Sequence, residues 1–165
     1  MTTGSRGRRA GVVLALGSVG ALLLALRALS ADQPQGPSLA QKQIEYRQAL
    51  YKVMANNAGP LFAMANDKVP YDAVAFAKRA ERVSFIAGIL PEAFPAGSNA
   101  GAPTAALPAI WEKRADFDQL MQDLGDKAAA VASAAKTKDL KQVQPAVAAL
   151  GKACKTCHEK FRKEE

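Results

Sequence analysis

The sequence predicts an all-α fold, an antiparallel up-down-up-down four-helix bundle. Three observations carry this. Beyond residue 38 the apolar residues recur at helical spacing in four separate stretches. Aromatic residues make up only 6% of the 165, while alanine is abundant, which favours helix over a β-sandwich or barrel. Two of the three connections between the stretches are short, as antiparallel neighbours require. Hydrophobic residues make up 49%, enough for one packed core, and the length fits one domain. No stretch reads as a strand, and no internal repeat is present.

The first helix is expected from about Leu39 to Ala58, with Ile44, Tyr51, Met54 and Ala58 on one face. Gly59-Pro60 is expected to stop it. The second starts at Tyr71-Asp72 and runs to Leu90, with Val74, Ala77, Val83, Ile86 and Leu90 inward. Pro91 ends it, because proline disfavours helix in the residue before it. Glu92–Leu107 reads as a loop holding Pro95, Gly97, Gly101 and Pro103. It is long against the roughly 2–8 residues usual between bundle helices, so it is expected to cover something. The third helix opens at Pro108, a good first-turn residue, and runs to about Ala135. Its inward residues are Ile110, Phe117, Leu120, Met121, Leu124, Ala128 and Val131. The fourth is capped by Asp139 and runs to about Lys163, with Val143, Val147, Leu150, Cys154, Cys157 and Phe161 as its stripe. Pro145 is expected to kink its first turns.

Residues 1–31 read as an address rather than a fold. Met1–Arg9 is short and positive, Ala10–Leu26 carries no charge, and small residues follow Arg27. That is the order of a secretory signal, with cleavage after Ser30 or Ala31. The alternative is an uncleaved anchor through residues 10–26, at the lower limit of a spanning helix. Either way the domain faces the outside of the cytoplasmic membrane. The Arg8-Arg9 pair is read as part of the positive n-region rather than as a twin-arginine signal. Asp32–Ser38 has two prolines and a glycine and reads as a linker to the domain at 39–165.

Charge excludes one class of partner. The formal net charge is +7, but residues 1–31 hold four arginines and no acid. The remainder carries 18 basic and 15 acidic residues, a balance of +3. That is no nucleic-acid surface, and no basic stripe interleaved with aromatics is present.

Two cysteines and one histidine exclude a disulfide scaffold and a multi-His metal centre. All three fall in Cys154-Lys155-Thr156-Cys157-His158, the C-x-x-C-H pattern of c-type haem attachment. Two thiols three residues apart share a helix face and reach the two vinyl groups of one porphyrin edge. The following imidazole then lies beneath the ring as an iron ligand. A thioredoxin-like pair would need a βαβ context, and none precedes Cys154. A zinc site would need a fourth ligand. A disulfide at this spacing would constrain little. No general base or nucleophile pair appears elsewhere, so no enzymatic turnover is expected.

The motif lies at the C-terminal end, which resembles the class II cytochromes c, the cytochrome c′ family. The resemblance runs from about Ile44 to Arg162. It includes Tyr46-Arg47-Gln48, Pro70-Tyr71-Asp72, Phe94-Pro95-Ala96-Gly97, Pro108-Ala109-Ile110-Trp111 and Gly151-Lys152-Ala153-Cys154 onward. It implies one haem c, held by Cys154 and Cys157 through thioethers, with His158 as axial ligand to the iron. It implies that Arg47 and Gln48 lie close to the haem propionates and that Thr104 contacts the haem. Ala105 stands where relatives often have a basic residue. Arg162 matches a basic residue near the exposed proximal side; the plain alternative is a cation favoured by the helix dipole.

The resemblance also implies that relatives with methionine four residues after the match to Arg47 are six-coordinate and low-spin, and that those with Leu, Phe or Tyr there are five-coordinate and high-spin. Here that residue is Tyr51. Met54, one turn on, is read as core filling. The resemblance therefore implies a periplasmic one-haem cytochrome that transfers one electron, binds small diatomics such as nitric oxide, or does both. The alternative within the family is a low-spin carrier with a Met sixth ligand. The alternative outside it is a haem-free helical module with a reactive dithiol. The family also implies a homodimer through the first two helices and leaves the redox partner protein unnamed.

Overall fold

Side-chain caps start three of the helices. Ser38 Oγ accepts from Gln41 N at 3.1 Å and opens α1, Leu39–Ala65. Asp72 Oδ1 accepts from Val74 N and Ala75 N at 2.9 and 3.0 Å and opens α2, Ala73–Ile89. Asp139 Oδ1 accepts from Lys141 N at 2.9 Å and opens α5, Leu140–Phe161. Each cap satisfies backbone donors that a helix start leaves without partners. Between α2 and α5 lie a 3-10 turn at Leu90–Ala93, a short helix α3 at Ala109–Glu112, and α4 at Arg114–Ala135. The structure is a computed structural model and describes residues 1–2 and 36–164. The export signal expected at 1–31, its 10–26 core included, and the linker residues 32–35 fall almost wholly outside the described residues. No helix among the described residues is long and apolar enough to cross a membrane.

Contacts divide the chain into residues 1–36 and 37–165. Within the second unit the long helices pack in a ring, α1 on α2, α2 on α4, α4 on α5, and α5 back on α1. This is the expected four-helix bundle. Its core runs through Leu61, Phe76, Val83, Leu90, Phe117, Val131, Val143 and Leu150, each at most 2% exposed. No strand forms among the described residues; Ala106 and Arg162 make an isolated antiparallel bridge.

Four expectations are corrected. Gly59-Pro60 does not stop α1, which continues to Ala65. Proline lacks the N–H that would pair with the carbonyl four residues back, here Asn56. Arg79 of α2 makes up the loss by donating from Nη1 to Asn56 O at 3.0 Å. Leu61, Met64 and Ala65 are buried beyond the proline, so their packing favours continuing the helix. Gln144 of α5 donates to Ala65 O at 2.9 Å and satisfies a carbonyl of the last turn. Arg79→Ala is therefore expected to cost about 1 kcal/mol in urea unfolding. Pro60→Ala supplies a backbone donor for Asn56, so the loss is expected to vanish in the double variant.

The third expected helix is broken at Lys113 into α3 and α4. The break places Trp111 and Arg114 on consecutive carbonyls of the loop. Trp111 Nε1 donates to Pro95 O at 2.9 Å and Arg114 Nη1 to Phe94 O at 2.6 Å. Val74 points outward at 60% exposure rather than into the core. The fourth correction is at Pro91, which sits inside the 3-10 turn, so the loop begins later than Glu92. Pro145 lies within α5 without ending it.

Candidate haem-binding site

Cys154, Cys157 and His158 all lie on α5. The two thiols are free, half-buried and packed against the core cluster. Burial raises both thiol pKa values, Cys157 to about 11 with the neighbouring Cys154 adding to the effect. His158 is an exposed residue on the same turn. Its pKa is lowered, first by partial desolvation and then by the charge of Arg162. Gly151, one turn before Cys154, lies under the Phe62 ring of α1; a Cβ there would sit 3.2 Å from Phe62 Cε1. The glycine thus lets α1 close on α5 beside the motif.

Tyr51 of α1 faces this pair. Burial pushes its phenol well above the ordinary tyrosine value, and charge on Cys157 and Cys154 pushes the same way. Nearby Arg47 opposes the shift. The ring stands edge-on to Phe94, with centroids 6.4 Å apart. Met54 is half-buried and packs against the core cluster.

Arg47 is the most unusual side chain in the domain. It is a cation at 2% exposure, with no ion pair among the described residues. Nη1 donates to Ser98 O at 2.9 Å and to Ser98 Oγ at 3.3 Å, and Nη2 donates to Thr104 Oγ1 at 3.3 Å. Its Cζ lies 5.2 Å from the Phe94 ring centroid and 5.6 Å from that of Trp111. Nε is buried and unpartnered. Desolvation lowers its pKa from the ordinary arginine value. Gln48 is exposed and donates to Pro103 O at 2.9 Å. Together Arg47 and Gln48 bind the loop that follows the 3-10 turn onto α1. Gly97 and Gly101 let that loop turn at φ of 78° and 115°.

The structure thus brings Tyr51, Arg47 and the two cysteines into one neighbourhood and joins Thr104 to it through Arg47. Arg162 lies beside His158 at the end of α5, where its backbone pairs with Ala106. Phe94, Trp111 and Ser98 join the site beyond the residues expected from the sequence. Phe94 and Trp111 were visible as matching motifs, but nothing in the sequence marks Ser98.

These residues fit a covalently held haem. The two thiols share a face with an imidazole beside them. A buried guanidinium without a carboxylate suits an acidic substituent. No group of three or more His, Cys, Asp or Glu side chains is arranged to hold a bare metal ion among the described residues.

Comparison with known proteins agrees with this geometry. The family model described as Cytochrome C' matches residues 42–162. Cytochrome c-554 of Cereibacter sphaeroides is 40% identical over 87% of this chain and 92% of its own. The solved cytochrome c prime of Shewanella frigidimarina is 42% identical, covers 76% of this chain and 97% of its own, and superposes with a TM-score of 0.72. A nitric oxide complex of a mutant cytochrome c prime from Alcaligenes xylosoxidans is 28% identical over 76% of this chain and 97% of its own, at a TM-score of 0.70. A family match over most of the domain, joined to a bundle that carries C-x-x-C-H on its last helix, makes this chain a c-type cytochrome of the cytochrome c′ family, with covalently attached haem as its cofactor.

Proposed function

We propose that this chain works in the periplasm as a one-haem cytochrome that transfers single electrons and binds small uncharged diatomics such as nitric oxide. Cys154 and Cys157 hold the haem through thioethers, and His158 ligates the iron. When bound, the group would supply an iron centre that changes by one electron and can take a small gas. The chain's own residues govern access to it. Tyr51 crowds the space facing the cysteines with a neutral phenol, which is a poor ligand. Arg47 supplies a buried positive charge for a propionate, and Thr104 and Gln48 hold the covering loop on Arg47's helix. Arg162 places a charge beside His158.

The observation that carries this reading is Tyr51. It packs against the same core cluster as the two cysteines and lies close enough to feel their charge, and it holds the position at which the resemblance asks for a methionine in a six-coordinate relative. Met54, one turn further along α1, is half-buried and packs against the same core cluster, and a methionine at helical spacing more often fills space than ligates. The relative solved with nitric oxide supports the choice of gas. The apolar 10–26 segment behind a positive N-terminus supports export. No turnover is proposed.

The test is an optical spectrum of the haem-loaded protein, oxidised and reduced, with carbon monoxide added to the reduced form. A broad high-spin spectrum that shifts with carbon monoxide is expected. A sharp low-spin spectrum indifferent to the gas would overturn the vacant-site reading.

A homodimer through α1 and α2 belongs to the same reading. Leu39, Tyr46 and Val53 recur every seven residues along α1 and are 81%, 42% and 51% exposed. Val74 and Phe85 of α2 are 60% and 68% exposed. A paired copy would cover such apolar faces. Phe85→Glu is expected to shift the mass seen by light scattering from dimer to monomer, with the spectrum unchanged.

A further inference from the structure

We infer that Ser98 is a positioning residue for the carboxylate groups of the haem: its hydroxyl fixes which edge of the Arg47 guanidinium is left to receive one. The inference rests on the haem reading above and deepens the part given there to Arg47.

Ser98 lies in the loop after the 3-10 turn, 51 residues from Arg47 along the chain, and is 1% exposed. A buried hydroxyl is costly unless it is hydrogen-bonded. Here it is bonded twice. Oγ accepts from Arg47 Nη1 at 3.3 Å and donates to Pro95 O at 2.8 Å. Pro95 O also accepts from Trp111 Nε1 at 2.9 Å. The Trp111 ring centroid in turn lies 5.6 Å from Arg47 Cζ. The hydroxyl thus ties the cation to the same carbonyl that fixes the ring beside it. One circuit joins α1, the loop and α3.

The donor count gives this circuit a direction. A guanidinium is planar and holds its five N–H groups in fixed directions. Nη1 has two hydrogens and two acceptors, Ser98 O at 2.9 Å and Ser98 Oγ. Nη2 has two hydrogens and, among the described residues, one acceptor in Thr104 Oγ1. Nε has one hydrogen, is buried and has no partner. The spare donors therefore lie on Nε and Nη2, which form one edge of the fork. A carboxylate takes two parallel bonds from such an edge. A simple clamp on the loop explains the bond to Ser98 O. It explains neither the second Ser98 bond, which fills Nη1, nor the buried Nε left over. Filling Nη1 keeps that nitrogen out of competition and turns the spare edge to one use.

The test uses the haem-loaded protein and two readouts. One is the reduction potential by spectroelectrochemistry, and the other is the propionate bending band in resonance Raman spectra. Arg47→Met is expected to lower the potential, because a buried cation favours the added electron. Ser98→Ala keeps the cation and its bond to the backbone. It is expected to shift both readouts in the same direction as Arg47→Met, and by less. Ser98→Thr returns the hydroxyl and is expected to restore both. In the Arg47→Met background, Ser98→Ala is expected to add nothing. That arm separates positioning from loop stability, because the bond from Ser98 Oγ to Pro95 O is lost in either background.

Unchanged readouts in Ser98→Ala would overturn the inference. So would a Ser98→Ala shift that persists without Arg47, since Ser98 would then serve the loop alone. A shift in Ser98→Thr as large as in Ser98→Ala would overturn it too. A propionate band unmoved by Arg47→Met, or absence of covalent haem on staining, would strike the reading of the haem site itself and the inference with it.

Discussion

A protein carrying both Cys154→Ser and Cys157→Ser is expected to lose the haem band entirely after denaturing electrophoresis. Only a covalent bond survives that treatment, and the chain has no other cysteine. Each single variant is expected to keep a band, because one thioether remains. Serine is close to cysteine in size, and both thiols are only half-buried, so the bundle is expected to stay helical by circular dichroism. What the double variant loses is the stabilisation a tightly held group gives the folded state. Its melting temperature is expected to fall to that of the native chain prepared without haem. A haem band persisting in the double variant would remove Cys154 and Cys157 from the role assigned to them.

Arg47→Met is expected to destabilise the haem-loaded protein by about 2–4 kcal/mol in urea unfolding. Methionine fills similar space but donates nothing. Ser98 O and Thr104 Oγ1 lose their Arg47 donor, and the cation between the Phe94 and Trp111 rings is gone. A competing effect runs the other way. Burying a charge costs several kcal/mol in desolvation, so an apolar replacement sometimes stabilises. Haem decides which effect wins. On the proposed reading a haem propionate would give the guanidinium a counter-charge; without it the charge is held by neutral groups alone. The loss is therefore expected to be larger with haem than without it. Arg47→Lys keeps the charge but not the forked donor geometry, and is expected to fall between. Equal losses with and without haem would mean that Arg47 serves the loop alone.

Much of this was legible along the chain. Helix starts were readable because Ser38, Asp72 and Asp139 cap the backbone locally, and a cap depends on residues three positions away at most. The C-x-x-C-H spacing was legible for the same reason, since residues three apart on a helix share a face whatever else the chain does. Helix ends were less readable. Pro60 looked like a stop because the donor that replaces its missing N–H comes from Arg79, on another helix. The break at Lys113 was hidden because Pro95 and Phe94, whose carbonyls hold Trp111 and Arg114, lie on the far side of a loop.

The sequence by itself determined an all-helical domain and the C-x-x-C-H motif on its last helix, and it singled out Tyr51 for the role proposed above. Those signals are local in spacing or carried by a motif. Only the tertiary structure decided that Arg47 is buried without a carboxylate and that Phe94, Trp111 and Ser98 enclose it. Each of those depends on groups more than forty residues apart, or on which side of a helix faces water. Burial and pairing are settled by packing, and packing exists only once the helices have met.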